Sequence, residues 1–203
     1  MELAGLSVSQ VVYKVHPPSK GRRILVACDL EITEGMQGKN ELYQRLSAQL
    51  RNLSIPFTDD FPGALKESDH IVDAIFGFSF SGTLRDPFPS IITALSESSL
   101  PITSIDAPSS WDITNGPPTS GPGSSFMPQH LISLTAPKPL VKYFTGRHFL
   151  GGRFVTPEIA KKYNLQTPGI RGRSVDQIVE MPIEGLEEKI VMEYSQWCHG
   201  LEN

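Results

Sequence analysis

The residues best suited to chemistry lie at the ends of two short apolar segments. The first, Ile71–Phe76, contains the acid Asp73 and leads into a loop rich in glycine and serine. The second leads into Asp106 and a turn of small residues that includes Ser109. Carboxylates and hydroxyls hydrogen-bond polar ligands, and a carboxylate can also give and take a proton. These two segment ends are the strongest site candidates in the sequence.

Each candidate also has a structural interpretation. An Asp inside an apolar strand can cap a nearby loop, although a buried Asp is uncommon unless it is paired. Asp and Ser in or before a tight turn often stabilise that turn and do nothing more. On the residues alone, a structural role for Asp73, Asp106 and Ser109 therefore stays open.

Apolar periodicity predicts the elements that would position these side chains. We predict helices at 2–15, 40–52, 86–95 and 157–163, with a helical turn or loop at 64–68. We predict strands at 22–28, 54–57, 71–76, 102–106, 131–136 and 151–155. Strands that alternate with helices favour an α/β fold with a parallel sheet and helices on both faces. In such a sheet, ligands bind beyond the carboxyl ends of the strands.

The composition is that of an acidic chain with many turns. The net charge of −4 and the pI near 5.7 argue against nucleic acid and anionic membranes as partners. No stretch approaches the ~18 apolar residues of a membrane-spanning helix. Cys28 closes a strand and is expected to be a buried thiol, with a reduced, intracellular environment as the default. No group of Cys and His residues has the spacing of a zinc site.

Several segments resemble the NAD(P)H-hydrate epimerases, the YjeF N-terminal domain family. Their sequences are most similar to those of fungal members. The resemblance covers most of residues 1–170 in the family's order, beginning with Met1–Gly5, which is similar to the family's N-terminal helix. The other segments that carry it are Val72–Phe80, Arg85–Phe88, Ser104–Asp112, Leu134–Pro139 and Gly151–Phe154. Several linked motifs make the resemblance specific.

The resemblance implies both a fold and an activity. The implied fold is a Rossmann-like three-layer αβα sandwich with a mostly parallel sheet. The implied activity is that of an isomerase that interconverts the R and S forms of hydrated NADH and NADPH, so that a companion dehydratase specific for the S form can repair both. A potassium ion in the site and a location in the cytoplasm, the mitochondrion or both are also implied, and a homodimer is left open.

The family's site residues carry over onto matching positions of this sequence. By resemblance, Asp106 contacts the hydrated nucleotide and transfers the proton, whereas Asp73 and Ser109 bind potassium. The loop that wraps the substrate matches Gly77, Phe78, Ser79, Phe80, Ser81, Gly82 and Thr83. Oxygen ligands suit a hard cation, and the backbone N–H groups of a small-residue loop suit a pyrophosphate.

One feature of the family is missing. The family has a Gly-rich phosphate loop, a helix and a further strand directly after the first strand, whereas residues 29–38 alone stand in that place. A crossover to a parallel strand takes a dozen residues or more. We therefore expect a sheet that lacks one strand–helix unit, in which the strand at 54–57 has lost its neighbour. An artefact of the gene model or of splicing is the leading explanation, and a natural splice form or degenerate copy is the second.

The chain divides into two parts, and one alternative function stays open. Residues 1–170 form a YjeF N-terminal-type domain that is truncated near 29–38, and residues 171–203 form a polar C-terminal extension with a helix predicted at 183–197. The alternative is a non-catalytic interaction module, as in related domains of mRNA-decapping scaffolds. The missing loop favours this alternative, whereas Asp106 and the acidic pI disfavour it. An ordinary dinucleotide oxidoreductase or a methyltransferase is disfavoured because no Gly-x-Gly-x-x-Gly follows the first strand.

Overall fold

Six strands form one sheet in the computed structural model, which describes residues 2–28, 41–77, 80, 82–152, 156–162 and 176–182. The strands are β1 (Ile24–Cys28), β2 (His70–Ala74), β3 (Ile102–Ile105), β4 (His130–Leu134), β5 (Arg147–Gly151) and β6 (Ile178–Met181). The helices are α1 (Glu2–Val15), α2 (Glu41–Asn52), α3 (Phe61–Glu67), α4 (Phe88–Glu97) and α5 (Pro157–Lys162), with a 3₁₀ helix at Pro139–Tyr143. The predicted alternation of strands and helices is confirmed.

The strands lie in the sheet in the same order as in the chain. β1 to β5 are parallel, and β6 pairs with β5 in the antiparallel direction. β2, β3 and β4 are buried over most of their length because helices and loops cover both of their faces. The predicted mostly parallel α/β sheet is therefore confirmed.

Helix α1 covers one face of the sheet. Its apolar residues recur at helical spacing, so that Val11 and Val15 point to the same side. They pack against Ile132 of β4 and Phe149 of β5. This packing fixes α1 over the β4–β5 side of the sheet.

The opposite face carries α3 and α4. Leu95 of α4 packs with Ile71, Ile102 and Phe126 in a buried apolar cluster, against which side chains of α3 also pack. The start of α3 is fixed by Asp60, whose side chain accepts a hydrogen bond of 3.0 Å from the backbone N–H of Gly63. In the described part of the chain, no helix combines the length and apolarity that a bilayer span requires.

The β1 side of the sheet corrects two predictions. Residues 54–57 form no strand, although one was predicted there. Cys28 is exposed, although a buried thiol was expected. Both corrections concern the same edge: among the described strands, β1 pairs with β2 alone, so no described strand covers its outer edge, and residues 54–57 do not pair with it.

The C-terminal part of the sheet also differs from the prediction. The strand predicted at 151–155 lies earlier, as β5, and residues 153–155 lie outside the described residues. β6 was not predicted, because four residues are too short to show alternation; it lies inside the segment assigned to a C-terminal extension. The helix predicted at 183–197 lies outside the described residues.

Candidate functional site

The carboxyl ends of β2, β3 and β4 bring the predicted site residues to one edge of the sheet. Parallel pairing places Asp73 of β2 opposite Ser104 of β3. Asp106 follows β3 directly, and its backbone N–H donates a hydrogen bond of 2.7 Å to the carbonyl of Ile132 in β4. The predicted convergence of Asp73 and Asp106 on neighbouring strand ends is therefore present.

Asp73 is fully buried and held by two serines. Its Oδ2 accepts hydrogen bonds from the hydroxyl of Ser104 at 2.7 Å and from the backbone N–H of Ser109 at 2.9 Å, and its Oδ1 accepts a bond from the Ser109 hydroxyl. Burial raises the pKa of the Asp73 carboxyl, and the hydrogen bonds from both serines oppose that rise. The serines thus stabilise a charge that burial disfavours.

Ser109 connects the β2 end to the turn after β3. Its hydroxyl donates to Asp73 and accepts a hydrogen bond of 3.2 Å from the backbone N–H of Phe76. Both functions of the hydroxyl are therefore used inside the protein. This explains why a small hydroxyl residue stands there, whether or not a cation binds.

The chemistry of these groups fits a potassium ion. Asp73 and Ser109 supply only oxygen donors, which hard cations prefer. Among the described residues, no cationic side chain forms an ion pair with the Asp73 carboxylate. A buried carboxylate with no positive partner is a suitable neighbour for a monovalent cation, since the cation would compensate its charge.

Asp106 has a strained backbone and a defined set of partners. Its φ of 62° lies in the left-handed region, which is sparsely populated for residues other than glycine. Its Oδ1 accepts a backbone hydrogen bond of 2.8 Å from Leu134 and a bond of 2.6 Å from Lys138. No described residue hydrogen-bonds to its Oδ2, and the side chain is 12% exposed.

Lys138 is a site residue that the sequence analysis did not select. Its Nζ donates to Asp106 at 2.6 Å and to the carbonyl of Leu134 at 2.7 Å, and the side chain is 9% exposed. Burial lowers the pKa of the Lys138 ammonium, and the neighbouring Asp106 partly restores it. The sequence signal was a single Lys between two prolines at a strand end, a pattern that a solvated Lys shares.

Further polar groups lie on the same face of the sheet. Nε2 of His148 lies 2.9 Å from the hydroxyl of Ser133, and both residues are buried. Burial, assisted by the positive charge of Lys138, lowers the pKa of His148 to about 4. His148 is therefore neutral near pH 7 and leaves Lys138 as the cation that faces Asp106.

The loop after β2 is described in part. Gly77, Gly82 and Thr83 are exposed, and the ring of Phe80 stacks on that of Phe76 with centroids 4.4 Å apart. Phe78, Ser79 and Ser81 lie outside the described residues. The described part of the loop therefore presents open backbone at the edge where Asp106 stands.

The two carboxylates at this edge of the sheet have different environments and therefore suit different roles. Asp73 is enclosed by hydrogen bonds, whereas Asp106 has one oxygen fixed by a cation and the other without a hydrogen bond from any described residue. A carboxylate in the second situation can hydrogen-bond a ligand hydroxyl and exchange a proton with it. Asp106 is therefore the residue at this edge with the geometry of an acid–base.

Comparison with known proteins adds a family to this geometry. Residues 19–140 match the family described as YjeF-related protein N-terminus. A protein of Sclerotinia sclerotiorum named NAD(P)H-hydrate epimerase is 70% identical over 211 residues, which cover 94% of this chain and 88% of that protein. A protein of the same name from Schizosaccharomyces pombe is 44% identical over 207 residues, with 89% and 85% covered.

A solved structure and the length of the alignments give two further facts. The crystal structure of the yeast protein ynu0 (YNL200c) is similar to this fold with a TM-score of 0.74 and 29% identity, and 89% of this chain and 88% of that chain are covered. The alignment with the Sclerotinia protein is 211 positions long, which is more than the 203 residues of this chain. That relative therefore carries residues that have no counterpart here.

Proposed function

We propose, because the chain belongs to the YjeF-related N-terminal family, that it is an NAD(P)H-hydrate epimerase, an isomerase of hydrated NADH and NADPH. Relatives of that name align with about nine-tenths of the chain. The single observation that carries the proposal is that the Oδ2 of Asp106 accepts no hydrogen bond from a described residue, next to an Oδ1 held by Lys138. The reaction moves a hydroxyl from one face of the nicotinamide ring to the other.

Asp106 performs the proton transfer in this proposal. Moving the hydroxyl requires either loss and return of water or opening and closing of the ring. Each route needs a group that gives a proton to one oxygen or nitrogen and takes it back afterwards. Asp106 gains from Lys138 a fixed orientation and a positive charge that stabilises its carboxylate between the two transfers.

The remaining residues bind and orient the substrate. We assign the loop Gly77–Thr83 to the hydrated nucleotide, since exposed backbone N–H groups in a small-residue loop hydrogen-bond phosphate oxygens. We assign Asp73 and Ser109 to potassium, whose positive charge would compensate the buried carboxylate and attract an anionic substrate. Their oxygen donors and the absence of a described cationic partner for Asp73 support that assignment.

An epimerisation assay tests the proposal. The chain is incubated with the R form of NADPH hydrate, and the appearance of the S form is followed by chromatography against a protein-free control. We expect Asp106→Asn to lower the rate at least about 100-fold, because a general acid–base contributes roughly 10²–10⁴. Circular dichroism verifies that the variant folds. A folded chain that shows only the protein-free rate, or an Asp106→Asn variant as fast as the parent, would contradict the proposal.

A further inference from the structure

An apolar groove lies between α1 and the β1 side of the sheet, on the face that α1 covers. Its volume is about 760 Å³. The floor is formed by Ile24 and Val26 of β1, Val72 of β2 and Ile105 of β3. The wall is formed by one side of α1, adjacent to the side that packs on the sheet. Its residues are Gly5, Val8, Ser9, Val12 and Tyr13, with His16 just after the helix. The groove is thus lined mainly by apolar side chains of the kind that form protein cores.

The exposure of the floor is unusual for a sheet of this kind. Val26 is 55% exposed and Ile24 is 38% exposed, although parallel strands are normally covered on both faces. Both side chains point to the α1 face, on the side of Val72, which is itself only 4% exposed. In the described part of the chain, one layer of cover is therefore missing over β1.

The spacing of helices on sheets places that missing layer. Packed helices lie 8–10 Å apart and strands about 4.8 Å apart, so a second helix would lie two strands away from α1. Since α1 sits on Ile132 and Phe149 of β4 and β5, its neighbour would lie over β2 and β3, whose Val72 and Ile105 form part of the groove floor. The groove has the position of such a helix.

The handedness of crossovers places a helix of this kind directly after β1. From β2 to β3 the chain passes through α4, on the face opposite α1. A right-handed crossover that runs in the opposite direction, outwards past β1, must pass over the face on which α1 lies. A strand–helix unit inserted after β1 would therefore put its helix in the groove and its strand beside β1.

The polar end of the groove matches the end of such a helix. A crossover helix runs antiparallel to the strands, so its C-terminus would lie near the start of β1. Arg22 lines the groove there, with His16, whose buried Nε2 has no hydrogen-bond partner among the described residues. The last carbonyls of a helix need donors, and the negative end of its dipole favours a cation.

We propose that the groove is the seat of an amphipathic helix belonging to a segment that the relatives carry and this chain lacks, and that the chain binds this segment in trans. The Sclerotinia relative supplies residues without a counterpart here. The twelve residues 29–40 that join Cys28 to α2 are too few for both a crossover of a dozen residues or more and the strand that would follow it. The proposal does not depend on the catalytic assignment, because none of the site residues at the carboxyl ends of β2, β3 and β4 lines the groove.

A peptide-binding experiment tests the proposal on the chain as it exists. The probe is a fluorescent synthetic peptide of the residues that the Sclerotinia protein has and this chain lacks. We expect saturable binding by anisotropy and slower amide exchange in residues 2–15 and 24–28. A peptide of the same composition in scrambled order should not bind.

Two variants and a matched control locate the binding site. Val26→Asp places a charge on the groove floor, and Arg22→Glu reverses the charge at its polar end; each should weaken binding at least tenfold. Ile159→Asp changes a similarly exposed apolar residue of α5 and should bind like the parent. The proposal is overturned if the peptide does not bind, if both groove variants bind normally, or if the chain alone dimerises through residues 2–15 and 24–28.

Discussion

At the scale of single residues, backbone strain is concentrated at the strand ends that carry the site. Of the four described residues other than glycine with positive φ, three, Asp106, Ser110 and Thr135, follow β3 or β4, and the fourth, Ser54, follows α2. Such conformations cost of order 1–3 kcal/mol and persist where the surroundings fix them. Asp106 and Thr135 are held by backbone hydrogen bonds to the neighbouring strands, at 2.7 Å each.

Ser110 has no such compensation, and we expect Ser110→Gly to stabilise the protein. Its φ is 81°, and its buried Oγ has no hydrogen-bond partner in the described part of the structure. Removing the strain and the orphaned hydroxyl should raise the free energy of unfolding by about 1 kcal/mol, after the entropy of glycine is offset.

Thermal melting measures this effect as a rise of about 2–4 °C. The control is Gly123→Ala, at φ 88°, where a Cβ would overlap the Ser110 hydroxyl. That variant should melt lower than the parent. A Ser110→Gly protein that melts at or below the parent temperature would show that the hydroxyl contributes to the turn.

The ion pair of Lys138 and Asp106 gives a second residue-scale prediction. Lys138→Met removes the cation and leaves a buried carboxylate, which should cost about 3–5 kcal/mol of unfolding free energy. Lys142→Met, on the exposed side of the 3₁₀ helix that follows Lys138, should change that free energy by less than about 0.5 kcal/mol. Urea unfolding of both variants decides, and equal effects would mean that the pair does not stabilise the fold.

At the scale of elements, the two edges of the sheet are finished differently. β6 covers β5 in antiparallel pairing, whereas no described strand covers the outer edge of β1. β6 is fastened by Glu180, which pairs with both Arg147 on β5, at 2.7 Å, and Lys14 on α1, at 3.3 Å. One edge is thus closed by charge and pairing, and the other is open and apolar.

Glu180→Gln should loosen the closed edge slightly. The groups are partly exposed, so we expect a loss of about 0.5–1 kcal/mol at low salt that shrinks in 1 M salt, where charges are screened within about 3 Å. Glu158→Gln in α5, for which no ion pair is present in the described structure, is the control. Chemical denaturation at both salt concentrations measures the difference, and a salt-independent loss would assign the effect to packing.

At the scale of the whole molecule, buried histidines connect stability to pH. Burial lowers the pKa of His70, His130 and His148 to about 4, from an ordinary 6.5. The ring of His16 lies 4.8 Å from that of His70, and the proximity of this second ring adds to the effect of burial in lowering the pKa of His70. The native protein therefore takes up fewer protons than the unfolded chain between pH 6.5 and 4.

The free energy of unfolding should fall as the pH falls through this window. Each of the three histidines contributes a slope of up to about 1.4 kcal/mol per pH unit between pH 6.5 and about 4, and its stabilising effect is fully present above pH 6.5. Asp73 acts in the opposite sense, because its raised pKa makes the native state bind a proton first. Because three histidines act in one sense and Asp73 alone in the other, we expect a net loss of unfolding free energy as the pH falls.

Urea unfolding at pH 7.5, 6 and 5 measures the slope. His148→Gln keeps a donor for Ser133 and removes one titrating ring, so it should flatten the dependence by about a third. A parent protein whose stability is constant between pH 7.5 and 5 would mean that the histidines are protonated in the native state as readily as in the unfolded chain.

The sequence by itself determined the α/β class, most of the elements, and the family. Apolar periodicity is local, so it placed α1, β2 and β4 within a few residues, and Asp73, Asp106 and Ser109 stand in linked motifs that a linear chain displays. It also indicated a missing unit after β1, because residues 29–38 are too few for a crossover.

Only the tertiary structure decided which groups meet. Strand register places Ser104 against Asp73, and Lys138 reaches Asp106 from 32 residues away; no local pattern encodes either contact. Likewise, Cys28 and residues 54–57 carry apolar patterns typical of buried strands, but whether a strand is buried depends on its neighbours in the sheet. Local composition sets which elements form, whereas burial and pairing are properties of the assembled sheet, and the site and the open groove both arise at that level.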